Sequence, residues 1–192
     1  MNTNSKSLRL SYFLVRLRES ELFWVFSFSI LTAISAQISI PIKPVPFTLQ
    51  TLIVLLAGAF LGAKYGTYSQ IIYIIMGVVG LPVFAQTADG TMGIARLFGP
   101  TGGYLIAFPL AAFLVGYLTE KSQKYLSIVL SMFAAEMVIL YIGTLYLYLT
   151  SLHNFMKALE AGAAIFTIWM VIKVFAGATI YYSALKKFPR LP

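Results

Sequence analysis

Cysteine is absent, histidine occurs once (His153) and aspartate once (Asp89). Without cysteine there is no disulfide, no thiolate metal site and no cysteine nucleophile. A single histidine provides no His-based metal cluster and argues against a Ser/His/Asp arrangement. Charge is scarce: 10% of the 192 residues are charged, where a soluble domain carries roughly 25%. The chain has no GxxxxGK[ST] phosphate loop, no HExxH and no serine nucleophile elbow, so no ATPase or hydrolase signature is recognisable. Alternating apolar segments of about ten residues, the mark of a membrane β-barrel, are also missing.

What is present is apolar. The chain is 59% hydrophobic with a mean hydropathy of +0.85. Several runs go without charge for about 20 residues, the length that crosses hydrocarbon. This predicts an all-α, polytopic membrane protein in which residues 1–192 form a single integral membrane domain. The net charge of +8 then reflects basic cytoplasmic loops, not nucleic-acid binding.

Residues 1–21 carry Lys6, Arg9, Arg16 and Arg18 among Leu, Tyr, Phe and Val. They read as a basic cytoplasmic segment lying on an anionic leaflet. Ala33-Ile34-Ser35 before Ala36 resembles a signal-cleavage site. The apolar helix continues at transmembrane scale, however, and Glu19 and Glu21 interrupt the flank, which argues against cleavage. Six spans are expected: about 22–40, 47–63, 66–80, 103–119, 125–150 and 161–185. Pro41, Pro44 and Pro46 make a stiff loop after the first span. A polar turn is expected over 151–160.

With both termini on one side, that side holds Lys6, Arg9, Arg16, Arg18, Lys64, Lys121, Lys124, Lys186, Lys187 and Arg190. The other side holds Lys43, Arg96 and Lys157. This asymmetry places the termini in the cytoplasm. The loops 41–46, 81–103 and 151–160 are then external.

The loop 81–103 is too polar and too rich in Gly and Pro to cross as a helix. It reads as a lid over a small-molecule site. It contains Asp89, a turn residue before Gly90, and the isolated Arg96, whose guanidinium suits a carboxylate or, alternatively, solvent or lipid phosphate. Glu136 and Lys173 lie inside spans, where a charge costs about 2.5–3.5 kcal/mol and faces a partner or a wet cavity. Lys173 either holds a ligand carboxylate or pairs with Glu136. Thr48, Gln50 and Thr51 open a helix and cap it or bond a polar ligand. Phe84, Tyr73 and Tyr104 flank the lid as candidate pocket walls. In the first span, Ser29 with Ala33, Thr32 with Ala36 and Ser35 with Ser39 recur at four-residue spacing. That spacing suits either packing within the chain or docking on a partner helix.

Three blocks carry a family resemblance: PVPFTLQTLIVLLAGAFLG (45–62 and its flank), GLPVFA (80–85) and FGPTGGYLIAF (98–108). In order and spacing they resemble the BioY family, the biotin-binding S components of energy-coupling factor transporters. The resemblance spans roughly residues 25–185. It implies the six-helix S-component fold with cytoplasmic termini in a bacterial cytoplasmic membrane. It implies biotin as the transported ligand, no cofactor and no enzymatic activity. It also implies a transmembrane coupling subunit and two ATPases as partners, with Ser29, Thr32, Ala33 and Ala36 on the docking face.

In the last span, family members usually show Gly-Asp and then Lys three residues after the Asp. Here Lys173 matches the Lys, but Trp169 and Met170 stand at the Gly and Asp positions. Glu136 replaces the acid, or Trp169 stacks on the ligand, or specificity has changed. The expected ligand set is Lys173 or Arg96 for the carboxylate and Gln86, Thr48 and the region of Thr101 for the ureido group. Phe84 and Tyr104 form the apolar wall, with Trp169 and Glu136 as further contacts. Two other readings remain: an S component for another vitamin or a biotin precursor, and a membrane-embedded lipid-modifying enzyme using Glu136 and Lys173 as acid and base.

Overall fold

The computed structural model describes residues 20–87, 90–163 and 166–186. The basic segment 1–21, apart from Ser20 and Glu21, lies outside them, as do Asp89, Lys187 and Arg190. Seven α-helices follow one another: α1 (Glu21–Gln37), α2 (Gln50–Val78), α3 (Ala95–Phe98), α4 (Gly102–Lys121), α5 (Tyr125–Leu147), α6 (Phe155–Gly162) and α7 (Thr167–Leu185). A two-stranded antiparallel ribbon, β1 (Ser39–Ile40) with β2 (Phe47–Thr48), closes the proline loop between α1 and α2. The three prolines stop the helix, and the ribbon then pairs Ser39 with Thr48 and Ile40 with Phe47.

The element α2 is not one rod. Gly62 has φ 76° and ψ −178°, a conformation open essentially to glycine alone. The chain doubles back there. In an unbroken helix Gln50 and Tyr73 would stand about 34 Å apart, yet the Gln50 amide donates to the Tyr73 hydroxyl. The two arms, 50–61 and 63–78, touch backbone to backbone: a Cβ on Gly66 would lie 2.8 Å from Gly58 Cα. A Cβ on Gly58 would in turn lie 2.2 Å from the Ala112 carbonyl oxygen of α4. Glu120, at the end of α4, accepts the Ala63 N–H at 3.0 Å and so satisfies the first turn of the returning arm.

Helix α2 packs on α1 on one side and α4 on the other, α5 packs on α4, and α7 closes the bundle by touching α2 and α5. By length and composition Gln50–Val78, Gly102–Lys121, Tyr125–Leu152 and Thr167–Leu185 are able to cross a membrane, and Glu21–Gln37 is a shorter apolar helix. Large apolar side chains point outward along all of them, among them Phe26, Ile30, Leu110, Leu130 and Ile172. An outward apolar belt is what lipid contact requires.

The structure corrects two boundaries. Residues 151–160 are not a simple turn. A π-turn (Tyr148–Leu152) continues α5, His153 turns left-handed at φ 48°, and Asn154 caps α6 by accepting the Lys157 N–H at 3.0 Å. The last long helix therefore begins at Thr167, six residues later than hydropathy suggested, because Ala and Gly over 161–163 carry apolar character through the break.

Of the two readings of the small-residue face of α1, the structure shows packing within the chain. Ser29, Thr32 and Ala36 are fully buried within the chain. The Ser29 hydroxyl donates to the Ser69 carbonyl at 2.7 Å, and the Gln70 amide reaches Thr32 Oγ1 at 3.3 Å. These residues are packed against α2. Ala33 beside them is half-buried, and the face left open on α1 is made of Leu22, Phe26, Ile30 and Ile34.

Candidate functional site

A cavity opens where the ribbon, α3 and the ends of α2, α4, α5 and α7 converge. It holds about 620 Å³ of space between the atoms, its open mouth included. Each wall follows from local sequence. The Thr48 hydroxyl accepts the Gln50 N–H, the first of α2, at 3.3 Å, and Thr48, Gln50 and Thr51 line the cavity. In α4 the Tyr104 hydroxyl donates to the Gly162 carbonyl at 2.8 Å, tying the wall to α6. Residues Ile139 and Leu140 lie three and four positions after Glu136 in α5 and share its face.

Charge is concentrated here. The Lys173 ammonium lies 3.5 Å from a Glu136 carboxylate oxygen and also donates to the Thr51 hydroxyl. All three residues line the cavity. Of the two sequence readings of Lys173 the pairing with Glu136 is seen, and the ammonium also faces the cavity. Arg96 is 3% exposed and is no solvated loop charge. Its guanidinium donates to the Ala85 carbonyl at 2.5 Å and to the Thr87 hydroxyl, fastening the lid, while one side of it lines the cavity. The lid is further held where the Tyr146 hydroxyl donates to the Leu97 carbonyl at 2.7 Å. Formally the cavity carries Lys173 and Arg96 against Glu136, a net charge of +1 among the described residues.

Of the residues picked from the sequence, Lys173, Arg96, Thr48, Phe84, Tyr104, Thr101 and Glu136 meet on this cavity. Two do not. Gln86 faces a neighbouring recess beneath the lid, together with Gln37 and Thr87. Trp169 is 45% exposed and packs its ring 6.4 Å from Phe47 on the outer flank. It lines an apolar groove beside the ribbon that shares Thr48 and Lys173 with the cavity. Lys173 stands between two faces of α7: Met170, three residues before it, is buried at the cavity, and Trp169, four residues before it and roughly 100° from Met170, sits with Lys173 on the outer groove. The sequence marks Met170 only by the acid it lacks and assigns none of Phe166, Val45 and Pro46 to the apolar wall they complete. The three-residue spacing from Lys173 is a signal for Met170, but Trp169 at four residues carries the same one. For Phe166 there was none.

The arrangement suits an amphiphilic anion, with two cations near one acid, amide and hydroxyl groups at the top of α2, and an apolar slot of Phe84, Phe108, Leu105 and Met170. Among the described residues no cluster of three or more His, Cys, Asp or Glu is placed to hold a metal ion.

The sequence profile of the BioY family matches residues 5–190. A biotin transporter BioY from Thermotoga maritima is 40% identical over 153 residues, covering 80% of this chain and 88% of the relative. A probable biotin transporter BioY from Pyrococcus horikoshii is 41% identical over 157 residues, covering 82% and 91%. The crystal structure of the S-component for biotin from an ECF-type ABC transporter superposes with a TM-score of 0.78 at 26% identity, covering 100% of this chain and 97% of that one. The fold is thus that of an ECF S-component, and the chain belongs to the BioY family.

Proposed function

We propose that this chain captures biotin and carries it across the membrane as the substrate-binding subunit of an ECF-type transporter. It is a multi-pass membrane protein and a transport subunit, not an enzyme, and biotin is its cargo. The observation that carries the reading is the cavity's single net positive charge set against an apolar slot. Biotin is a monoanion with an apolar ring and chain and a hydrogen-bonding ureido group, and each part has a counterpart there. Lys173 and Arg96 serve the carboxylate, Gln50 and Thr48 the ureido, and Phe84, Tyr104 and Met170 the ring and chain. Glu136 compensates Lys173 in the empty site and takes the place of the acid that α7 lacks at Met170. This assignment leaves Trp169 and Gln86 outside the first contacts.

The two arms of α2 count as separate spans, which gives six with α1, α4, α5 and α7. The basic residues then place both termini in the cytoplasm, and the lid and ribbon outside a bacterial cytoplasmic membrane. A transmembrane coupling subunit with two ATPases supplies the energy. The apolar outer face of α1 is the surface offered to that subunit.

The test is saturable binding of labelled biotin to purified protein, with competition by dethiobiotin and by an unrelated vitamin. The expected result is binding displaced by excess biotin and not by the unrelated vitamin. Absence of saturable biotin binding overturns the reading. Preference for dethiobiotin, which lacks the ring sulfur, reassigns the cargo to a precursor.

A further inference from the structure

A second cavity stands directly before the first. It is formed by the tip of the proline loop (Ile42, Lys43, Pro44) and by Thr87 and Thr91 of the lid, with Arg96, Gly99, Pro100 and Thr101 as its floor. Arg96 and Thr101 line both cavities. The two spaces are therefore consecutive, with a buried guanidinium in their common wall. Lys43 is exposed at the rim. No acidic residue lies among the described residues that line this vestibule. Three cations thus lie on two adjoining cavities: Lys43 at the rim of the vestibule, Arg96 in the shared wall and Lys173 in the inner cavity. Glu136 appears only at the last of them.

We propose that the vestibule is a carboxylate-capture station, in which Lys43 draws a small organic monoanion from solution and hands it to Arg96. The proposal rests on the biotin reading above and adds a steering residue to it. Lys43 is not a ligand of the bound state, since it lines only the vestibule. Its effect belongs to the rate of association. An exposed charge in water accelerates arrival of an opposite charge and is screened by salt within about 10 Å at 0.1 M. The proline-stiffened loop keeps the ammonium at the rim, and among the described residues no hydrogen bond or ion pair fixes it.

The experiment is rapid-mixing measurement of biotin association and dissociation on the full chain in nanodiscs of neutral lipid, from low to high salt. Lys43→Gln is expected to slow association about threefold at low salt, the worth of one nearby charge in water. Lys43→Glu slows it about tenfold, being a change of two charges. Both differences close at high salt, and dissociation is unchanged. Lys157→Gln removes an exposed cation of α6 that lines none of these cavities, and is expected to leave both rates as they were. Equal association for Lys43→Gln and the wild type at every salt concentration overturns the proposal. So does an equal slowing by Lys157→Gln, which means a diffuse surface field, or a change confined to dissociation, which means bound-state contact. Failure of the wild type to bind biotin at all is a different result. It removes the biotin reading, and the proposal with it.

Discussion

The α1–α2 seam and the α5–α7 wall both bury polar side chains among apolar helices. In the seam, Ser29, Thr32, Ser35, Ser69 and Gln70 are neutral, and their hydroxyls and amide bond one another or nearby carbonyls. The wall holds Glu136 and Lys173, which are charged and paired with each other at 3.5 Å, and they face a cavity. The seam closes on itself. The wall keeps an interface free for something else. Small neutral groups let helices approach and cost little to bury once bonded. A buried ion pair rarely gains stability over apolar residues of the same shape, and the proposed contact with biotin gives its place at a cavity a reason. On that proposal the same polar letters in a hydropathy plot mean packing in one place and recognition in the other.

Substitutions can break this contrast. Lys173→Ala is expected to weaken biotin binding by about a hundredfold, the worth of a charge-assisted contact of roughly 2–3 kcal/mol, as read by calorimetry. An unchanged affinity would move the carboxylate to Arg96. Glu136→Gln leaves the Lys173 ammonium without its counter-charge. Stability should fall by about 3 kcal/mol, seen in thermal unfolding in detergent, and saturating biotin should restore most of it because the ligand carboxylate supplies the missing charge. The double variant Glu136→Leu with Lys173→Met removes both charges. Its stability should stay within about 1 kcal/mol of the wild type while biotin binding is lost, which separates recognition from folding. In the seam, Thr32→Val should cost only about 0.6 kcal/mol, typical of a hydrogen bond between membrane helices, and should leave biotin affinity within about twofold. A large loss of affinity there would make the seam part of the site.

Much of the fold was legible because membranes simplify sequences. Apolar length marks spans, and prolines and glycines mark where helices stop. The lid was visible as the one internal stretch too polar to cross. The gathering of Lys173, Glu136 and Arg96 was foreshadowed by their cost, since an uncompensated charge in hydrocarbon needs a partner or a cavity. Less legible was anything set by rotation about a helix axis. Trp169 and Met170 are adjacent letters, yet one faces outward and the other lines the site. Ser29, Thr32 and Ala36 had a small-residue spacing that fits an internal or an external partner equally well, and only their contacts with α2 distinguished the two. Gln86 lies in the lid next to Ala85, but the turn of the loop aims it into the adjoining recess.

The sequence by itself determined that the chain is an apolar helical membrane protein with a polar lid, two intramembrane charges and a break between spans near residues 63–66. Each of these follows from composition and local chemistry. Tertiary structure alone decided that Glu136 meets Lys173, that Arg96 is a buried clasp shared by two cavities, and that Met170 rather than Trp169 lines the slot. Those outcomes depend on the angle at which each helix docks, and packing between helices fixes that angle.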